Sequence, residues 1–173
     1  MFAGGVGVAR RKPGDKVDDR GTRVWADAMT VVFLAGAVVV AIYVPRAAIP
    51  LPAWWTFTLG LVLVTLGAAG RWWAARTLGR FFTQSVTICE GHQVIASGPY
   101  RFVRHPGYAG MLILMIGLGL TLANWLSTLL VFIGFLAGHV PRIKVEEAVL
   151  EENLGDEYRN YERARKRLIP GIW

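Results

Sequence analysis

The sequence predicts an all-α integral membrane protein with about four transmembrane helices, the last two forming a short hairpin. Three observations predict it. Of its 173 residues 54% are apolar and the mean hydropathy is +0.41, beyond the range of an ordinary soluble domain. The apolar residues fall in blocks of membrane-crossing length rather than in one-sided stripes. The basic residues stand between those blocks in a pattern that decides which ends share a side.

Residues 1–22 are Gly-rich and charged, with too little apolar content to pack, and are expected to be a disordered cytosolic arm. A first span follows from about Trp25 to Val44, interrupted by Asp27 and Thr30 near its start and stopped by Pro45 and Arg46. Twenty helical residues rise about 30 Å, enough to cross the hydrocarbon core. The residues before this run are mostly polar and no convincing small-residue cleavage site follows it, so it does not resemble a signal peptide. A second span runs from about Leu51 to Ala69, with Trp54 and Trp55 suited to an interfacial belt.

The third apolar block, residues 107–139, is too long to be one crossing, at about 50 Å. Asn124, in Thr121-Leu-Ala-Asn124, supplies a turn signal near its midpoint. The block therefore divides into arms of about 107–122 and 125–140. Each is short, so local thinning or a partly inserted hairpin is expected. Charge supports the division. The 19 Lys and Arg residues comprise six ahead of the first span, one (Arg46) between the first two spans, five between residues 71 and 104, and seven after the hairpin. Four spans put 18 of the 19 on one side, with both termini cytoplasmic. The chain thus reads as an arm (1–22), two helices (23–70) and a region (71–173) carrying the polar motifs, the hairpin and a C-terminal helix.

Several chemistries are excluded. Cys89 is the single cysteine and can form neither an internal disulfide nor a CxxC site. The three histidines lack metal-ligand spacing, and no metal is expected. No Ser-His-Asp pattern, P-loop or Rossmann fingerprint is present. The net charge of +7 is explained by topology and anionic lipid headgroups rather than nucleic acid.

The most informative stretch is Gly-Pro-Tyr-Arg-Phe-Val-Arg-His-Pro-Gly-Tyr-Ala-Gly, residues 98–110, set immediately before the hairpin. Such polar groups at a bilayer edge cost several kcal/mol without partners. Arg101 and Arg104 alone would be membrane anchors, but that does not account for His105 and Pro106 held between Tyr100 and Tyr108. After the hairpin comes Pro-Arg-Ile-Lys-Val-Glu-Glu-Ala-Val-Leu-Glu-Glu-Asn-Leu-Gly, residues 141–155. Glu146, Glu147, Leu150, Glu151 and Leu154 recur at helical spacing, and Gly155 is placed to cap. Arg142 and Glu146 share a helical face; as a solvated ion pair they would contribute only about a few tenths of a kcal/mol. Topology, however, returns this helix to the face carrying His105. Tyr158, Tyr161 and Leu168–Trp173 would cover the assembly.

Together these segments resemble the isoprenylcysteine carboxyl methyltransferase family and the related phospholipid methyltransferases, over about residues 80–171. The resemblance rests on Gly91-His-Gln-Val-Ile-Ala-Ser-Gly-Pro-Tyr100, Arg104-His-Pro-Gly-Tyr-Ala-Gly110, Arg142 with Glu146-Glu147, and Leu154-Gly-Asp-Glu-Tyr158 through Tyr161 to Ile169-Pro-Gly171. It implies a membrane enzyme that uses S-adenosyl-L-methionine without a Rossmann domain and releases S-adenosyl-L-homocysteine. It also implies a cytosolic cofactor pocket built by the 80–106 connector and the C-terminal helix. By matching position, His92, Gln93, Val94 and Ile95 would line that pocket, with Tyr100, His105, Pro106, Gly107 and Tyr108 completing it. Glu146 would bind the cofactor and Arg142 the acceptor. Lys144-Val145 departs from the family's more acidic run, and only two spans precede the motifs.

The chemistry agrees with those roles. Methyl transfer from a sulfonium is an in-line displacement, governed by positioning. A carboxylate acceptor needs no general base but does need a cation, and a guanidinium such as Arg142 holds it in bidentate geometry. Glu146 would complement the cofactor's ammonium, His105 would donate to its carboxylate, and Tyr108 would pack beside it. The acceptor is expected to be prenylated or otherwise lipophilic, drawn from the membrane lipid phase, with a prokaryotic plasma membrane as the setting. A phospholipid N-methyltransferase is the alternative, but its amine must lose a proton to a base. A steroid-reductase-type NADPH oxidoreductase and a membrane scaffold without ligand are the remaining ones.

Overall fold

The computed structural model describes residues 16–17, 19–82, 87–88 and 93–173. The rest of the arm, residues 1–15 and 18, lies outside the described residues, as does Cys89. The described residues form five α-helices: α1 (Thr22–Tyr43), α2 (Ala53–Leu78), α3 (Pro106–Thr121), α4 (Trp125–Leu154) and α5 (Asp156–Ala164). A two-residue antiparallel ladder pairs β1 (Lys16–Val17) with β2 (Thr87–Ile88). α1, α2 with the turn after it, and α4 are each long and apolar enough to cross a bilayer. The 16 residues of α3 are fewer than a full crossing needs.

α1 begins inside the stretch expected to be disordered. Asp19 accounts for this: its Oδ2 accepts from Arg23 N at 3.2 Å and its carbonyl from Thr22 N at 2.9 Å, satisfying amides that a helix start leaves open. α2 runs well past Ala69 to Leu78. Its polar extension is tolerated because aromatic faces cover the cations, with Arg76 4.1 Å from the Trp72 ring and Arg71 5.6 Å from that of Phe82.

α4 differs most from expectation. The second hairpin arm does not stop near residue 140; it continues through Pro141 into the Glu146-Glu147 segment as one 30-residue rod, about 45 Å long. Pro141 has no N–H, so Ala137 O loses its intrahelical donor. The Trp25 indole of α1 donates to that carbonyl at 3.0 Å instead. A foreign donor thus removes the main penalty of an internal proline.

Two close helix pairs, α2 with α3 and α1 with α4, are joined through the α3–α4 hairpin. The α2–α3 seam depends on glycine. A Cβ at Gly110 would lie 2.7 Å from Gly67 O and from Arg71 N, and one at Gly117 2.7 Å from Gly60 O. Small residues permit this backbone approach. Ser127 Oγ donates to Ala37 O at 2.7 Å across the α1–α4 pair. Ala37, Met115, Val131, Phe135 and Ile143 fill the core, with Leu168 of the C-terminal tail. Val31, Val32, Phe57, Leu59 and Leu66 stand exposed on the outside, as lipid-facing residues do.

Asn124 closes one end of the bundle. Its Oδ1 accepts from Ser127 N, and its Nδ2 donates to Val44 O, each at 3.1 Å. The hairpin turn is thereby tied to the end of α1. At the opposite end the start of α1, the end of α2, the start of α3, the second half of α4, and α5 converge.

Candidate functional site

The stretch before α3 is held by the C-terminal tail. Arg104 N donates to Lys166 O at 2.8 Å and His105 N to Arg167 O at 3.0 Å, while the Tyr161 hydroxyl donates to Tyr100 O at 2.8 Å. Trp173 O accepts from the amides of Leu168 and Ile169, each at 2.8 Å, folding the tail back on itself. Pro106 takes the first position of α3, where a missing N–H is harmless. These constraints fix Arg104 and His105 on one side and Tyr108 one turn into the helix.

Two polar clusters face them from α4. Glu147, 6% exposed, is the hub of the first. Its Oε1 lies 3.0 Å from Arg104 Nη1 and 3.1 Å from His105 Nε2, and its Oε2 accepts from Arg167 Nε at 2.8 Å. Arg104 also pairs with Glu162 of α5. A buried carboxylate is stable only when so paired, and here two segments distant from it in sequence supply the three donors. An ionised carboxylate accepts only, so His105 carries its proton on Nε2.

In the second cluster, Arg142 Nε donates to the Tyr108 hydroxyl at 2.9 Å, and that hydroxyl donates to Glu146 Oε2 at 2.8 Å. Arg142 Nη1 lies 3.0 Å from Asp19 Oδ1. His105 Nδ1 is 3.9 Å from Glu146 Oε1. With Nε2 turned to Glu147, His105 presents Nδ1 on the side of Glu146.

Between these clusters and the end of α2 lies a cavity of about 260 Å³. Gln93, Val94, Ile95 and Tyr100 line it from the connector, His105, Gly107 and Tyr108 from the start of α3, and Arg142 and Glu146 from α4. Pro106 is buried but is not among the lining residues, and His92 lies outside the described residues. Burial pushes the Tyr161 phenol up to about 12 and raises that of Tyr100 further, so both are neutral at physiological pH. Arg104 Nε and the Tyr158 hydroxyl are buried without a hydrogen-bond partner among the described residues.

Sequence reasoning missed three contributors. Arg71 lines the cavity and donates to Gly107 O at 3.4 Å, yet in sequence it reads as a membrane anchor. His139 also lines it, stacked on Phe135 at 4.4 Å and edge-on to Tyr108 at 5.8 Å. Its signal was legible, since His139, Arg142 and Glu146 share a face at i, i+3 and i+7. Asp19, in the arm, carried no signal for its pairing with Arg142.

A sequence model of the isoprenylcysteine carboxyl methyltransferase (ICMT) family matches residues 59–152. A probable protein-S-isoprenylcysteine O-methyltransferase of Oryza sativa subsp. indica is 38% identical over 121 residues, covering 69% of this chain and 63% of that protein. Protein-S-isoprenylcysteine O-methyltransferase B of Arabidopsis thaliana is 34% identical over the same length, covering 69% and 61%. The chain therefore spans less than two thirds of these curated relatives. Among solved structures, the eukaryotic intramembrane Ras methyltransferase ICMT superposes with a TM-score of 0.66 at 23% identity, over 90% of this chain and 55% of that one. That likeness concerns the fold.

Proposed function

Because the chain belongs to the isoprenylcysteine carboxyl methyltransferase family, we propose that it methylates the carboxylate of an isoprenoid or other lipid-linked acid, with S-adenosyl-L-methionine as donor. The observation that carries this reading is the Arg142–Tyr108–Glu146 chain at the cavity wall, a cation and an anion held apart by one hydroxyl. When bound, the cofactor supplies an activated methyl group.

The Glu146 carboxylate, the Arg71 guanidinium and the neutral Tyr100 and Tyr161 phenols that line the cavity fit that group. Glu146 takes its ammonium, and the Arg71 guanidinium complements its carboxylate. Arg142 receives the acceptor carboxylate; Asp19 Oδ1, 3.0 Å from Nη1, is a carboxylate already seated on it. Tyr108 restrains the Arg142 fork, so the acceptor oxygen is oriented before reaction. Met111 and Leu78 add apolar wall to the cavity, suited to a hydrocarbon chain. The excess of Lys and Arg at this end supports a cytoplasmic side for it, and the setting proposed is a prokaryotic plasma membrane.

The test is methyl transfer from labelled S-adenosyl-L-methionine to an S-prenylated N-acetylcysteine by the purified chain in lipid. Base-labile label in the acceptor is expected. Label only in a base-stable product would assign the chain to amine methylation instead, and no transfer to either acceptor class would end the proposal.

A further inference from the structure

Arginines at the site end of the bundle are of two kinds. Arg104, Arg142 and Arg167 are each paired with a carboxylate. Arg76, Arg80, Arg101 and Arg165 form no ion pair among the described residues. Each lies instead over an aromatic ring, of Trp72, Phe81, Phe102 and Tyr161, at 4.1–4.7 Å. Residues 71–82, 93–104 and 163–173, which carry this second kind, contain no Asp or Glu. The site explains the first kind and leaves the second without a counter-charge.

Their position says what supplies it. Leu59, Leu66 and Trp73 recur at i, i+7 and i+14 on α2 and are all exposed, one stripe of its lipid-facing side. Arg76, one turn further, ends that stripe. It stands about 35 Å along the helix from Ala53, past the hydrocarbon core and at headgroup level. The Gly98–Arg101 turn is pressed against the same end of α2, since a Cβ at Gly98 would lie 2.8 Å from Thr77 Oγ1. The tail runs beside that turn: Arg165 Nε donates to Arg101 O at 3.2 Å, and Lys166 is bridged to Val103. Phe102, Ile169 and Ile172 are exposed along it. We propose that this band, with Arg76, Arg80, Arg101 and Arg165 as its cations, binds the headgroup phosphates of anionic phospholipids. Guanidiniums match phosphate oxygens, and the exposed rings and isoleucines enter the headgroup–acyl boundary. Nucleic acid or an acidic protein would match the charge but not the apolar side chains that continue the lipid-facing stripe. The tail's Lys166 and Arg167 carbonyls accept from Arg104 N and His105 N, so lipid held at Arg165 and Lys166 also steadies the cavity wall.

The test is the thermal midpoint of the full chain in neutral detergent, titrated with phosphatidylglycerol, phosphatidylcholine or soluble glycerol phosphate. Phosphatidylglycerol should raise the midpoint by about 5 °C, and the other two by less than about 1 °C. Arg76→Gln/Arg80→Gln/Arg101→Gln should keep the lipid-free midpoint within about 2 °C of wild type. It should need at least about tenfold more phosphatidylglycerol for half the rise. Arg46→Gln/Lys144→Gln/Arg159→Gln removes the same charge from outside the band and should respond as wild type does. An equal rise with phosphatidylcholine, or an equal loss in both triple variants, would overturn the proposal. So would a rise with glycerol phosphate matching that with phosphatidylglycerol, which would assign the band to a soluble phosphate. Should the first variant lose stability without lipid, Arg76→Lys/Arg80→Lys/Arg101→Lys decides the matter, because it keeps the charge. A lipid response that stays lost in it would show that the arginines serve the fold instead.

Discussion

Arg142 and Glu146, one turn apart on α4, are linked through the hydroxyl of Tyr108 on α3, which accepts from Arg142 Nε at 2.9 Å and donates to Glu146 Oε2 at 2.8 Å. One neutral group thus joins the residue proposed to hold the acceptor to the residue proposed to hold the cofactor. Tyr108→Phe should weaken S-adenosyl-L-homocysteine binding and slow turnover together, each by about tenfold, since hydrogen bonds to charged groups contribute about 1.5–3 kcal/mol. Calorimetry and a methyl-transfer assay on the same preparation check this. A loss in one quantity alone would break the link.

Arg142→Lys separates charge from geometry. A lysine keeps the cation but cannot present the planar fork. Turnover is expected to fall by about a hundredfold, while S-adenosyl-L-homocysteine affinity stays within about threefold of wild type. Near-wild-type turnover would show that the acceptor needs only a positive charge.

Glu146→Ala and His105→Ala act on the cofactor side. Each should weaken S-adenosyl-L-homocysteine binding, Glu146→Ala by about tenfold or more because an ionic partner of the ammonium is lost. Unchanged affinity in Glu146→Ala would remove that residue from the binding set.

Glu147 is a different case, because its partners are structural. Glu147→Ala leaves Arg104, His105 and Arg167 without their shared carboxylate, and breaking a buried pair in this way costs about 3–5 kcal/mol. The thermal midpoint in detergent should fall sharply, and the C-terminal tail should become sensitive to protease. A stable variant with an intact tail would contradict the hub.

Asp19 can be tested without disturbing the start of α1. Asn caps a helix as well as Asp does but carries no charge. Asp19→Asn should therefore keep α1 intact while loosening its hold on Arg142 Nη1, and the acceptor KM should fall by about threefold as a competing carboxylate is weakened. An unchanged KM would mean that Asp19 does not occupy the acceptor's place.

The helices were legible because membrane solvation imposes a length and a composition on each crossing. α1 and the turn at Asn124 lie where apolar runs and a polar break put them. The full extent of α4 was not legible. Pro141 argues locally for a break, and only the Trp25 indole, from a helix more than a hundred residues earlier, supplies the donor that lets the rod continue. The end of α2 was misjudged for a related reason, since the rings that cover Arg71 and Arg76 become its neighbours only in the fold.

Sequence by itself determined the membrane class, the hairpin, and the choice of Tyr100, His105, Tyr108, Arg142 and Glu146, all of which line the cavity. Each depends on local composition, helical spacing or a short motif. Tertiary structure decided which of the adjacent carboxylates is buried, with Glu147 turned to the Arg104–His105–Arg167 cluster and Glu146 to Tyr108 and the cavity. Successive helical residues point about 100° apart, so neighbours in sequence face different partners. Which partners those are depends on the crossing of α3 and α4 and on the path of the tail, and neither is encoded in any one segment.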